Sequence, residues 1–293
     1  MVYISQSGQK LSNKAFLDYF EKKVRKTIRV WGLLGKKEKI LVACSGGKDS
    51  TTALYLIKKI VAGNRNISVE AIHVDPSIGE YSKINRENIV RFCSENGIKL
   101  HLTSFREEFG YSLCYIKGLV KEYKSCRVCG ILRRYILNKK AKEASATKIV
   151  TGHNLDDEAQ NVIMNIFQNH VEILPRLGPM TAANRGFVQR IKPLYFCTEE
   201  EVKLFSKLNK FPVKYEKCPC RADAYRKDVC DMLNVFEKEH KSTKTAIIQS
   251  FLKLSPELKK INYGKAKACE KCGEPSSGHI CGTCKLIEKI RST

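Results

Sequence analysis

Ile40-Leu41-Val42-Ala43-Cys44-Ser45-Gly46-Gly47-Lys48-Asp49-Ser50 is the stretch whose reading decides the fold. An apolar run leads straight into a six-residue loop, Ser45 to Ser50, and Thr51 to Val61 then reads as a helix. The order is strand, phosphate-sized loop, helix. Two glycines open backbone conformations closed to other residues and let main-chain N–H groups approach an anion. A helix N-terminus adds partial positive charge at that point, and Lys48 adds a full one. The spacing is not that of a Walker A loop, GxxxxGK[ST]. A bare Ser-Gly-Gly is more often an ordinary turn, but six such residues behind an apolar strand point to a nucleotide-phosphate site.

Working outward, Lys14 to Leu34 carries Phe16, Phe20, Val24, Ile28 and Trp31 at helical spacing, with Lys22, Lys23, Arg25, Lys26 and Arg29 on the opposite face. Downstream of the loop, strands are expected at Ile67–Val74, Lys99–Ser104 and Lys148–Gly152, and helices at 86–96, 126–144 and 156–167. This alternation implies an α/β fold, a mostly parallel sheet with helices on both faces. Ligands of such sheets sit beyond the C-terminal strand ends, where Ser45, Val74 and Gly152 fall. After Pro193 the pattern turns helical, over 199–208, 229–240 and 244–254, and Ser255-Pro256 opens a linker. The expected organisation is a basic helical segment at 1–39, a nucleotide-binding domain at 40–258 and a small Cys-rich unit at 259–293.

The net charge is +23, from 53 Lys+Arg against 30 Asp+Glu. A nucleotide alone does not need that excess, whereas a polyanion does, so nucleic acid is the first partner to consider. The competing account is a generally basic composition that serves solubility or thermal stability. No run has the length of a membrane span and Met1 to Ser12 lacks a signal-peptide core, so a cytoplasmic location is expected. Thirteen cysteines in a reducing compartment argue for metal binding or catalysis over a disulfide framework.

Cys269-Glu-Lys-Cys272 and Cys281-Gly-Thr-Cys284 form CxxC-x8-CxxC, the spacing of a tetrahedral Zn²⁺ knuckle, with His279 as an alternative ligand. Few hydrophobes surround them, so the metal supplies the folding free energy. Cys126-Arg-Val-Cys129-Gly130 opens a helix beside Arg127, Arg133 and Arg134, a setting that favours thiolate. A redox pair, half of a zinc site and an iron–sulfur cluster compete there. The cluster would draw a further thiolate from Cys218-Pro-Cys220, and spacing alone leaves it level with zinc. Cys44 reads as a small buried hydrophobe, and Cys93, Cys114, Cys197 and Cys230 as structural or incidental.

Thr151-Gly152-His153-Asn154-Leu155-Asp156-Asp157-Glu158 follows a strand and opens a helix. Acids in a first helical turn are common as capping. Three of them facing a phosphate loop would repel ATP, which makes Mg²⁺ the natural mediator. His153 either orients a phosphate or caps the turn.

Taken together, SGGKDS, CxxCG, TGHNLDDE, a later Cys-Pro and CEKCGEPSSG…CxxCK resemble the TtuA-type and related archaeal and eukaryotic cytosolic tRNA 2-thiouridine synthetases of the PP-loop ATP pyrophosphatase superfamily. The resemblance runs from about Phe16 to Glu288, with the motifs in the family's order. It implies an enzyme that binds tRNA, adenylates the C2 oxygen of a uridine with ATP and replaces it by sulfur held on a [4Fe-4S] cluster. It further implies a ubiquitin-like carrier or sulfide as sulfur donor, and a homodimer. By resemblance Cys126, Cys129 and Cys218 are the cluster ligands. Cys218 is preferred to Cys220 because the family's third cysteine lies eight residues before the arginine of a Tyr-Arg pair, here Tyr225-Arg226. Ala43, Ser45, Gly46, Gly47, Lys48, Asp49, Ser50, Val74 and Gly152 would surround ATP, with Val74 near adenine. Asp157 takes the place of the catalytic acid, and Arg133 stands where TtuA-type members often carry lysine, as a charge stabiliser. Cys269, Cys272, Cys281 and Cys284 match the C-terminal knuckle. One departure is clear: the family usually begins with a second zinc knuckle, and no cysteine precedes Cys44. The alternatives are a 2-thiocytidine synthetase, a lysidine-type ligase and an RNA-binding zinc protein that senses ATP without turnover.

Overall fold

The computed structural model describes residues 2–4, 9–181, 186–216, 218–221, 225–260, 267–276 and 278–292. A hairpin of β1 (Val2–Ile4) and β2 (Gln9–Leu11) precedes helix α1 (Asn13–Val30), which Ser12 caps by accepting from the Ala15 N–H. The apolar run at residue 40 forms β3 (Glu38–Ala43), and the loop leads into α2 (Lys48–Val61). Then follow β4 (Ile67–Asp75), α3 (Gly79–Glu95), β5 (Leu100–Ser104), the short helices α4 (Phe105–Phe109) and α5 (Leu113–Leu119), and α6 (Ser125–Glu143). β6 (Lys148–Val150), α7 (Leu155–Phe167) and β7 (Gln189–Ile191) complete the sheet region. Helices α8 (Glu199–Leu208), α9 (Tyr225–Glu239) and α10 (Thr243–Lys260) come next. The chain closes with β8 (Lys267–Ala268), β9 (Pro275–Ser276) and α11 (Gly282–Arg291).

The central sheet has the order β5-β4-β3-β6-β7, and every pair in it is parallel. Alternation along β3 decides what each face buries. Ile40 and Val42 pack with Phe16, Phe20, Leu54 and Phe205 under α1, α2, α3 and α8. Leu41 turns the other way, towards Val128, Leu132 and Ile136 of α6 and Leu286 of α11. Helices α7, α9 and α10 form a third cluster around Tyr195 and Phe251. The chain moves outward from β3 to β4 and β5, then returns to the far side of β3 as β6. The crevice between the ends of β3 and β6 is therefore a topological switch point, where sheets of this kind take their ligands.

Three expectations shift. Helix α3 starts at Gly79, seven residues before the expected Arg86; Ser82 Oγ accepts the Ile78 N–H at 2.8 Å and so holds the first turn, a side-chain role that periodicity does not register. α10 runs through the expected linker at Ser255-Pro256 to Lys260, because Ser255 is buried and Leu252 and Leu258 pack on the third cluster. Packing there outweighs the N–H that proline lacks. Residues 261–266, where the expected linker would continue, lie outside the described residues. β7 gave no sequence signal: of its three residues only Ile191 is buried.

The basic face of α1 is partly neutralised within the chain. Lys23 pairs with Glu201 at 2.8 Å, and Arg25 with Glu21 at 2.7 Å.

Candidate active site

The loop after β3 is held open by its own hydroxyls. Ser50 Oγ accepts the Ser45 N–H at 3.1 Å and donates to the Gly47 carbonyl at 3.1 Å, while Ser45 Oγ accepts the Gly47 N–H at 3.3 Å. Gly46 has φ +82, and a Cβ there would lie 2.1 Å from the Asn85 carbonyl oxygen. At Gly152, the end of β6, a Cβ would lie 2.7 Å from the backbone between Asp49 and Ser50. These two glycines let three backbone segments converge on one anion-sized space. Lys48 Nζ bridges Asp49 at 2.8 Å and Glu199 at 3.3 Å, and Asn154 Nδ2 donates to the other Asp49 oxygen at 3.0 Å.

A cavity of about 220 Å³ opens beside the loop. Of the residues expected around a nucleotide, Ala43, Ser45, Asp49, Ser50, Val74, Arg133, Gly152 and Asp157 line it. Gly46, Gly47 and Lys48 belong to the adjoining loop and first helical turn and are not on its wall. A site for the triphosphate thus fits: hydroxyls and main-chain N–H groups on one side, apolar Val74 and Ile72 on the other.

The three acids of the first turn of α7 do not act together, contrary to the sequence reading. Asp156 is buried and accepts from Lys244 Nζ and from the Glu199 N–H at 2.7 Å. Glu158 is fully buried and pairs with Lys192 at 2.7 Å. Both tie α7 to neighbouring elements, because a 3.6-residue turn sends consecutive side chains in different directions. Asp157 alone faces the cavity. It closes a capping box with Asn154 and stands 3.5 Å from Arg226. Desolvation raises its pKa, against the pull of Arg226, and likewise raises that of Asp49, against Lys48. His153 Nδ1 meets Thr151 Oγ1 at 2.9 Å; desolvation lowers its pKa, so the ring is neutral at pH 7 and acts as a hydrogen-bonding group.

A second cavity, of about 250 Å³, shares Ser45, Val74 and Arg133 with the first. Cys126, Cys129, Cys218 and Cys220 all line it, together with apolar Ile78 and Leu113. Helix α6 supplies the first two thiols and the short 3₁₀ turn at Pro219–Arg221 carries Cys220, with Cys218 just before it. Zinc–thiolate bonds of about 2.3 Å in a tetrahedron require sulfurs about 3.8 Å apart. No three of these thiols gather within 4.8 Å. Their spread around a cavity suits a polynuclear group, with one thiolate on each of several metal atoms. Cys114, read from sequence as incidental, stands close enough to Cys220 for its charge to act there. Cys44, Cys93, Cys197 and Cys230 are buried away from the cavity walls that carry these thiols, apart from Cys44, which touches the nucleotide cavity.

The C-terminal cysteines behave differently. The sulfurs of Cys269, Cys272, Cys281 and Cys284 all lie within 4.8 Å of one another, with Cys272 and Cys281 3.7 Å apart, as tetrahedral zinc requires. Although desolvation opposes it, N–H groups of Cys281, Cys272 and Lys271 hold the Cys269 thiol down at about 6. This unit is docked. Leu286 and Ile290 of α11 are buried on α6, and Glu274 accepts from Asn138 and Lys142 of the same helix.

A PP-loop domain family model matches residues 17–219. The tRNA-5-methyluridine(54) 2-sulfurtransferase of Pyrococcus horikoshii is 36% identical over 281 residues, covering 94% of this chain and 87% of that protein. The chain belongs to the PP-loop family of tRNA 2-thiolation proteins. Among solved structures, the U34-tRNA thiolase NcsA of Methanococcus maripaludis with its [4Fe-4S] cluster superposes with a TM-score of 0.82 at 30% identity, covering 100% of this chain and 93% of that one. The cytoplasmic tRNA 2-thiolation protein 1 of Caenorhabditis briggsae is 28% identical, covering 98% of this chain and 77% of that protein. Within this thiolation family, the residues that sequence reasoning passed over at the site are instructive. His73 of β4 gives Nδ1 to the Cys44 carbonyl at 2.8 Å and leaves Nε2 buried and unpaired on the thiol cavity. Asn154 holds Asp49 on the nucleotide side, and Arg190 Nη2 reaches the Arg134 carbonyl next to Arg133. A histidine inside a buried strand and an arginine on the edge strand β7 carry no motif, so nothing in their spacing announces them, whereas Arg134 already reads from sequence beside the Cys126–Cys129 pair.

Proposed function

We propose that this chain is a cytoplasmic, ATP-dependent enzyme that exchanges the C2 oxygen of a tRNA uridine for sulfur. The observation that carries the reading is the shared wall: Ser45, Val74 and Arg133 line both the phosphate-loop cavity and the thiol cavity. A base reaching that wall touches the activating and the sulfur-bearing halves without moving.

In the nucleotide half, loop N–H groups, Ser45, Ser50 and Lys48 hold the phosphates. Asp49 and Asp157 are the carboxylates within reach of Mg²⁺, and Val74 packs on adenine. The uridine O2 attacks the α-phosphorus, the bond to pyrophosphate breaks, and the N3 proton is lost. Asp157 takes that proton as a carboxylate. Arg133, whose Nε is buried without a partner, offsets the charge that develops on the transferred phosphoryl oxygens. Hydrosulfide-level sulfur then attacks C2, AMP leaves with the original oxygen, and the S–H proton passes to N3, while the proton on Asp157 goes to solvent. Cys126, Cys129 and Cys218 would hold a [4Fe-4S] cluster, which supplies sulfur bound away from water. Cys269, Cys272, Cys281 and Cys284 would hold structural Zn²⁺. A ubiquitin-like carrier or free sulfide as donor, and a homodimer, complete the reading.

Anaerobic purification followed by iron, sulfide and zinc analysis, then incubation with tRNA, ATP and sulfide, tests it. The expected result is tRNA with one oxygen replaced by sulfur, with AMP and pyrophosphate released in step. Fragment mass spectrometry then separates position 34 from position 54, the two sites in the relatives' names. Iron-free protein that leaves tRNA unmodified under these conditions sinks the proposal.

A further inference from the structure

Arg134 of α6, Arg190 of β7 and Arg226 of α9 come from elements far apart in sequence and meet beside the two cavities. Arg190 Nη2 lies 3.5 Å from the Arg134 carbonyl oxygen. Arg226 reaches Asp157 and Asn161. Arg134 is close enough to Arg226 and to Cys129 to feel both, and Arg190 feels Arg134. No carboxylate is among the charges acting on Arg134 or Arg190, and neither forms an ion pair among the described residues. Arg134 is solvent-exposed and Arg190 half-buried; desolvation, and then the Arg134 cation, depresses the pKa of Arg190 to about 10. Crowding guanidiniums without a carboxylate is unfavourable unless an anion completes the arrangement.

We propose that Arg134 and Arg190 clamp a phosphodiester of the RNA strand that carries the target uridine. This rests on the tRNA reading above. Planar guanidinium forks match phosphate oxygens bidentately. The nucleotide's own phosphates are a poorer fit. They already have the loop and Lys48, and the Asp157 carboxylate lies 3.5 Å from Arg226 on the wall of the nucleotide cavity. A triphosphate tail reaching the arginines would have to pass that carboxylate. A strand phosphate has no such obstacle, and Arg134 adjoins both Arg133 on the shared wall and Cys129 in the thiol cavity. An anchor there sets the base at the joint between the two halves.

The test is binding of a tRNA transcript to the full chain, kept anaerobic, over a series of salt concentrations. Arg134→Gln and Arg190→Gln should each weaken binding by about tenfold. Each should also lower the slope of log affinity against log salt by about one. ATP affinity, iron content and melting temperature should not move. Arg190→Lys keeps the charge and loses the fork, so the slope returns while part of the affinity stays lost. That variant decides the matter if the glutamine variant fails to fold. Parent-like affinity and slope in the variants overturn the clamp and leave the thiolation reading standing if the parent thiolates. Weakened ATP or pyrophosphate binding with RNA binding intact also overturns it, in favour of the nucleotide tail. A parent that binds no tRNA removes the thiolation reading, and the clamp with it.

Discussion

Two sets of cysteines share helix α6 as a platform and are built on opposite plans. The C-terminal four bring their sulfurs within 4.8 Å of one another around a point. Cys126, Cys129, Cys218 and Cys220 stand around a cavity of about 250 Å³. The first arrangement has no room for a substrate and can only close on an ion. The second leaves space that Arg133 and Val74 connect to the phosphate loop. The same CxxC spacing thus builds a closed four-sulfur set in one place and one wall of an open cavity in the other, and the difference lies in what faces the thiols. Gly273 and the β8–β9 ribbon fold the knuckle onto itself, whereas the partner of Cys126 and Cys129 arrives from about ninety residues away.

The sharpest way to break this comparison is Cys126→Ala. Thiolation should fall below detection and iron should be lost, with zinc content, melting temperature and ATP binding unchanged. A Cys126→Ala protein that thiolates at the parent rate removes the cavity thiols from the chemistry. Next in size is Cys281→Ala, which should release zinc and cost about 2–5 kcal/mol of stability, the scale of losing a buried leucine contact, as α11 leaves α6. A denaturant midpoint equal to the parent's would show that the knuckle contributes nothing to the fold. The smallest effect is expected at Cys220→Ala. Cys220 lies close enough to Cys218 to act on it, so as an outer partner its loss should reduce activity or cluster retention about tenfold, while Cys218→Ala loses the iron altogether. Equal iron loss in both variants would make Cys220 a ligand in its own right.

Much of the site was readable in advance because its parts are local. The six-residue loop, the CxxC pairs and the acidic helix start are each contiguous, and each has a backbone geometry that its own residues impose. The acids show the limit. Asp156, Asp157 and Glu158 look alike in sequence, yet Lys244 and Lys192 claim two of them and one is left facing the nucleotide cavity. Those lysines lie 88 and 34 residues from their partners, so spacing could not have revealed the pairs. Cys114 was passed over for the same reason, since its neighbour Cys220 comes from a distant turn.

By itself, then, the sequence determined the parallel sheet, the phosphate loop at its switch point and the metal spacing of the knuckle. Hydrophobic periodicity, glycine placement and ligand spacing are properties of neighbouring residues. The tertiary structure alone decided that the two cavities share a wall, that one acid of three is available and that Arg134 and Arg190 meet with no carboxylate acting on either. Those facts depend on which side chains packing brings together from separate elements, and on the desolvation that packing imposes.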